Sequence, residues 1–246
     1  MMVLAALGLL LQAGQWQDMG SDARLYATAP ARWDAGDWGM FAAAAGGSLA
    51  LAAFADRPVR TWMLGHRDST VSGAAEIVRQ AGNGLWTVPM AAALWGGGAA
   101  FGAPREERVG REAIEALAFS GAVSQGLKYA TGRRRPTDGN DDPWSWGDSH
   151  GNADGLSFPS GHAQASWSVL TVVALEYRHV PGAEPLAFGL AGACALSRLY
   201  DNRHWASDVV AGSLLGLASG WAIVKWNHGR DVQAAVPPGL SFRLAF

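Results

Sequence analysis

Apolar residues along the chain gather into six runs, divided by polar, charged or glycine-rich stretches. They cover residues 38–55, about 81–103 (with Pro89 inside), about 113–128, about 162–177, 185–198 and about 205–226. Runs of this length predict helices, not strands. Pro185 suits the first turn of the fifth. The expected fold is all-α, a six-helix bundle over 38–226 with its candidate site at one end. Residues 15–37 are polar and carry Trp, Asp and Pro, which predicts an irregular lead-in. Residues 1–11 are apolar but too few to cross a bilayer. With the small residues Ala13 and Gly14 they read as a signal-peptide core, or an N-terminal apolar segment, over 1–14. A tail is expected over 227–246. Within it Leu240, Phe242, Leu244 and Phe246 alternate with other residues, the period of a short strand. One strand cannot close a barrel.

Two stretches stand out between and within these runs. Gly212, Gly216 and Gly220 recur every fourth residue in the sixth run, a spacing that lets helices approach closely. Residues 131–158 form a long loop rich in Gly, Asp, Asn and Trp, and such loops are commonly functional. Its acids, Asp138, Asp141, Asp142 and Asp148, do not form a calcium loop. Counted from Asp138, the positions that need Gly and Glu hold Pro143 and Ser149. They read as turn formers and solvated loop residues.

Composition narrows the class. Nearly half of the 246 residues are apolar, but Ala and Gly dominate, so mean hydropathy is only just positive. That places the chain on the border between soluble and membrane-embedded proteins. A net charge of −2 gives no electrostatic case for nucleic acid. The single cysteine, Cys194, lies in an apolar run and reads as a small core residue.

The chemistry-bearing residues sit at the expected helix ends. Lys128 closes the third helix, and Arg135-Pro136 follows across Gly132. Pro159-Ser160-Gly161-His162 opens the fourth. Ser197-Arg198 closes the fifth, and His204 with Asp208 opens the sixth. In an up-down bundle these four ends share one side. Lys128, Arg135 and Arg198 supply three positive charges, with Arg suited to bidentate phosphate contact. Ser160-Gly161 at a helix start adds oriented N–H groups and a favourable dipole. Together they suit a tetrahedral dianion and its transition state. His204 and Asp208, four apart, would share one helix face. Asp208 would then fix the Nδ1 proton and free Nε2 to attack phosphorus. His162 suits a general acid. Arg133 and Arg134 read in part as solvated loop cations. No ligand spacing argues for a metal, and no cofactor is expected.

Lys128-x6-Arg135-Pro136, Pro159-Ser160-Gly161-His162 and Ser197-Arg198-x5-His204-x3-Asp208 resemble the three-part signature of the type 2 phosphatidic acid phosphatase and vanadium haloperoxidase superfamily. Every signature position is present, in order. The resemblance implies a phosphohistidine intermediate on His204, His162 as acid, Asp208 as its partner, and Lys128, Arg135, Ser160, Gly161 and Arg198 as phosphate binders. It implies a metal-independent phosphatase of a lipid phosphate or diphosphate, such as phosphatidic acid, phosphatidylglycerol phosphate, undecaprenyl diphosphate or lipid A phosphate. A broad-specificity soluble periplasmic acid phosphatase and a vanadate-holding haloperoxidase share the motif. A non-catalytic binding module does not suit an intact nucleophile.

The expected place is the bacterial cell envelope, either the inner membrane with the site facing the periplasm, or the periplasm itself. Arg105, Arg108, Arg111, Arg178, Lys225 and Arg230 lie away from the site, consistent with a positive-inside orientation. The third to fifth runs have uncharged cores of about a dozen residues, below the ~17 that cross a bilayer.

Overall fold

A computed structural model describes residues 13–138, 141–147 and 156–235. Nine α-helices are found among them: α1 Ala13–Thr28, α2 Ala35–Phe54, α3 Asp56–Gly65, α4 Ser69–Val78, α5 Gly84–Phe101, α6 Pro104–Thr131, α7 Gly161–Glu176, α8 Ala183–Tyr200 and α9 Ala206–Ala235. No strand occurs among the described residues. The six apolar runs correspond to α2 and α5 to α9. The fold is all-α, as the pattern predicted.

The lead-in differs from expectation. Residues 13–28 are helical, and the face that α1 buries is polar, so no hydrophobic period marked it. Asp22 is fully buried and pairs with Arg230 Nη2 at 2.7 Å. Tyr26 Oη meets Ser219 Oγ at 2.7 Å, and its ring packs on Phe119 and Trp226. The same contacts explain why α9 runs past Trp226 through Arg230. Asn227 and Arg230, placed in a tail by the sequence reading, hold α1. The signal-peptide reading of 1–14 falls largely outside the described residues, and the alternating tail 240–246 lies wholly outside them.

Local signals set the helix limits. Asp34 and Asp37 form a reciprocal capping box at the start of α2, with Asp37 N donating to Asp34 Oδ1 at 2.9 Å and Asp34 N to Asp37 Oδ2 at 3.1 Å. Asp68 caps α4 and Asn83 caps α5. Pro104 opens α6, and Gly132 ends it in the left-handed region at φ +50°. The chain bends by 58° between α2 and α3. This bend carries Asp56 into the interior, where it is 1% exposed.

The glycine stripe of α9 is a packing surface. A Cβ on Gly212, Gly216 or Gly220 would lie 2.4, 2.3 or 2.7 Å from the carbonyl oxygens of Ser160, Gln164 and Ser168. α9 therefore rests backbone to backbone on α7. That contact fixes the start of α7 beside the start of α9. Gly98 and Gly110 bring α5 equally close to α6. Small residues fill much of the interior, with Val109, Val172 and Ile223 at its apolar centre.

The outer surface is apolar instead. Phe54, Leu85, Phe101 and Leu186 are 75–89% exposed, and Met40, Leu49, Met90 and Trp221 are also exposed. By length and composition, α9 over 206–230 can cross a membrane, and the bent pair α2–α3 would be a second, broken span.

Candidate active site

The end of α6, the start of α7, the end of α8 and the start of α9 meet at one end of the bundle. His204 lies just before α9 and is 5% exposed. It reaches that position through a tight turn after α8, in which Asn202 adopts φ +56°, a conformation Asn tolerates. Arg203 N closes the turn on Arg198 O at 3.0 Å. The pair His204–Asp208 is thus not on one helix face. Asp208 is the third residue of α9, and its Oδ2 accepts from Trp205 N at 2.9 Å, capping the helix start.

His204 Nδ1 stands 3.6 Å from Asp208 Oδ2, too long for a hydrogen bond. Ser157, which the sequence reading passed over, fills the gap. Its Oγ lies 3.4 Å from His204 Nδ1 and donates to Asp208 Oδ2 at 2.5 Å. Nδ1 therefore faces two oxygens, while Nε2 faces Arg135 Nη1 at 3.5 Å.

Arg135 and Lys128 lie close to His204, and Arg198 lies by His162. Lys128 is buried, and its Nζ donates to Pro159 O at 2.6 Å and Leu156 O at 2.9 Å. Arg135 is half-buried and also reaches Arg203 O and Leu156 O. Arg198 is buried and paired with Asp201 at 2.9 Å. Ser160 caps α7 through Oγ, and its N–H donates to Asp208 O at 2.9 Å. Next to it, a Cβ on Gly161 would meet only Lys128 Cε, at 3.9 Å. The protein does not fill that space.

Electrostatics follow from this crowding. Burial, then Arg135 and Lys128, push His204 down to about 3 against the opposing pull of Asp208. Its ring is neutral at pH 7, with Nε2 unprotonated when Nδ1 carries the proton. Burial, then Arg198, Arg79, Arg135 and Lys128, push His162 down to about 4. Burial and Arg135 bring Lys128 down to about 8. The site is a desolvated, cationic pocket around two neutral imidazoles.

Arg133 corrects the expectation most sharply. It is not a solvated loop cation but fully buried. Its Nη1 donates to Asp208 Oδ1 at 2.5 Å and Ser207 Oγ at 2.7 Å, and its Nη2 to Asp56 Oδ2 at 2.7 Å. Trp146 stacks 4.5 Å from the guanidinium. Asp56 in turn accepts from Ser207 N at 2.8 Å and Ser207 Oγ at 2.7 Å. Asp56 was invisible as a site residue, since it sits in no motif. Its one sequence signal is a carboxylate beside an apolar run. Arg134 is half-buried, and its carbonyl accepts from Trp205 Nε1. The described loop acids are surface residues as expected, but Asp141 pairs with Arg60 and Asp142 with Arg57. Cys194 is buried as expected. Among the described residues no group of three or more His, Cys, Asp or Glu is arranged to hold a metal ion.

Fold and site together define an all-helical bundle with a cation-lined histidine cluster at one end. Residues 110–231, which carry all three motif groups, match the model of the PAP2 superfamily. The chain belongs to that superfamily. It is 32% identical over 105 residues to the lipid A 1-phosphatase of Porphyromonas gingivalis, an alignment covering 42% of this chain and 20% of that protein. The chain thus aligns with only about a fifth of that curated relative. Two solved structures share the fold. One is the first transmembrane PAP2-type phosphatidylglycerolphosphate phosphatase from Bacillus subtilis, at TM-score 0.58 and 18% identity, covering 76% of this chain and 95% of that one. The other is Aquifex aeolicus LpxE, at TM-score 0.53 and 20% identity, covering 68% and 93%.

Proposed function

We propose that this chain is a metal-independent phosphatase of a lipid phosphate monoester or diphosphate, acting through a phosphohistidine on His204. The observation that carries it is the pocket itself. A neutral His204 with Nε2 directed at Arg135 stands beside Arg135 and Lys128, while Arg198 stands by His162 at the start of α7. In the proposed reaction the Nε2 lone pair forms a P–N bond as the P–O bond to the leaving group breaks. His162 gives its proton to that oxygen. Water then attacks phosphorus with His162 as base, which releases phosphate and restores His204. Asp208 and Ser157 face the Nδ1 proton and stabilise the positive ring of the intermediate.

Burial first, and then the surrounding cations, keep His162 neutral before substrate binds. A bound phosphate dianion offsets that field and raises its proton affinity. Substrate binding thereby equips the acid.

Membrane association is supported by the exposed aromatic and aliphatic side chains around α2, α5 and α8, a surface too apolar for water alone. Arg105, Arg108, Arg178 and Arg230 lie toward the other end, and a positive-inside orientation would turn the site to the periplasm. The same surface disfavours a soluble periplasmic phosphatase.

The test is phosphate release by the detergent-purified chain from phosphatidic acid, phosphatidylglycerol phosphate, undecaprenyl diphosphate and lipid A phosphate, with and without EDTA. Release that survives EDTA and is abolished by His204→Ala is expected. A base-stable, acid-labile phosphoenzyme should be trapped on His204. No release from any substrate, or activity surviving His204→Ala, overturns the proposal.

A further inference from the structure

Two arginines at the catalytic end carry a buried Nε with no hydrogen-bond partner: Arg198 and Arg79. Buried donors without an acceptor are rare and costly, and they call for an account. Arg198 belongs to the phosphate pocket already described. Arg79 lies in no motif.

Arg79 follows α4 and begins the tight turn Arg79–Gly82. That turn is pressed against the start of α7. A Cβ on Gly82 would lie 2.3 Å from His162 O and 2.8 Å from Cys194 Sγ. Cys194 Sγ itself reaches both Arg79 O at 3.7 Å and His162 O at 3.9 Å. The backbone of Arg79 is thus pinned beside that of His162. Its side chain is about a third exposed, and Nη2 is held by Glu76 one turn back. Arg79 therefore stands beside His162 at the start of α7, with its Nε buried and without a partner.

The charges divide into two sides. After burial, the cations that act on His204, the nucleophile, are Arg135 and Lys128. After burial, the cations that act most on His162, the acid that meets the leaving oxygen, are Arg198 and Arg79. A simple phosphate ester leaves as an alcohol, which carries no charge once protonated. A diphosphate leaves as a phosphate, and its negative charge needs a cation beyond the acid.

We propose that Arg79, with Arg198 and His162, forms a second anion subsite that holds the inner phosphoryl group of a diphosphate ester while His204 takes the outer one. This rests on the phosphatase reading above and names the substrate class within it. The bridging P–O bond breaks as the P–N bond forms. His162 protonates the bridging oxygen, and a lipid monophosphate leaves past Arg79.

The test measures equilibrium binding of two hydrolysis-resistant probes, inorganic phosphate and methylenediphosphonate, to the full chain in detergent by titration calorimetry. A charge-assisted contact of this kind predicts that the diphosphonate binds about tenfold tighter or more. Arg79→Gln should bring the ratio of the two affinities close to unity. Glu76→Gln, which removes the competing carboxylate and keeps Arg79, should widen the ratio about two- to threefold. Equal affinities in the wild type, or a ratio unmoved by both substitutions, overturn the subsite. The phosphatase reading stands or falls separately, on phosphate release from any ester, and does not depend on these affinities.

Discussion

Arg133 and Asp208 form a salt bridge of 2.5 Å with both side chains wholly buried. Asp56 completes the pair on the other side of the guanidinium at 2.7 Å. Two carboxylates, one guanidinium and the Ser207 hydroxyl therefore form one closed network behind His204. Its members come from the α2–α3 bend, the loop after α6 and the first turn of α9. It holds Asp208 at a fixed place while His204 is free to face the pocket.

Breaking this network should cost both stability and rate. Arg133→Ala leaves two buried carboxylates unpaired, and the expected loss is about 3–5 kcal/mol. Asp56→Asn keeps the shape and one ionic partner, so it should unfold later than Arg133→Ala. Denaturant or thermal unfolding in detergent, followed by phosphate release, reads both effects. An Arg133→Ala variant as stable as the parent would contradict the buried network.

Ser157 links His204 to Asp208 without belonging to any motif. Ser157→Ala removes a hydrogen bond to a carboxylate, worth about a factor of ten or more. The loss should fall on kcat with KM little changed, since Ser157 faces Nδ1 and not the substrate. A pure KM effect would place Ser157 on the substrate side instead.

The pH dependence should be unusual for a histidine enzyme. His204 is held down to about 3, so it stays neutral throughout the ordinary range. No acid limb near 6.5 should arise from it, although the second ionisation of the substrate phosphate, near 6, will show. Lys128 is held down to about 8, so its charge is present below that pH and lost as pH rises through it. kcat/KM should therefore fall more steeply above about pH 8. Lys128→Arg keeps its charge to far higher pH, and the alkaline limb should move up or vanish. A limb that stays at 8 in Lys128→Arg would assign it to another group.

Two glycines of α9 should respond oppositely to alanine. Gly216→Ala forces a Cβ to 2.3 Å from Gln164 O, with an expected loss of about 1–3 kcal/mol from overpacking. Gly229 has no atom within 4 Å of its would-be Cβ. Gly229→Ala should be neutral or stabilise by up to about 1 kcal/mol. Matched unfolding curves for the pair check this, and equal effects would deny the α7–α9 contact.

The sequence by itself determined the six long helices, because each buries or exposes enough apolar surface to leave an uninterrupted run. It also determined which side of the bundle holds the candidate site, because helices that alternate in direction place Lys128, Ser160, Arg198 and His204 at one end. Only the tertiary structure decided what supports them. The helix α1 was hidden because its buried face is made of Asp22, Gln15 and Tyr26, and burial by ion pair leaves no hydrophobic period. Arg133 looked like a solvated cation because charge in a loop is ordinarily solvated. Its two carboxylate partners lie 77 and 75 residues away in the chain. The His204–Asp208 pair kept its spacing but not its helical geometry, since Asp208 caps the helix that was expected to contain His204. Local pattern reports what each segment can bury. It cannot report which distant charge will make the burial of an arginine or an aspartate affordable, and that decision belongs to the packed chain.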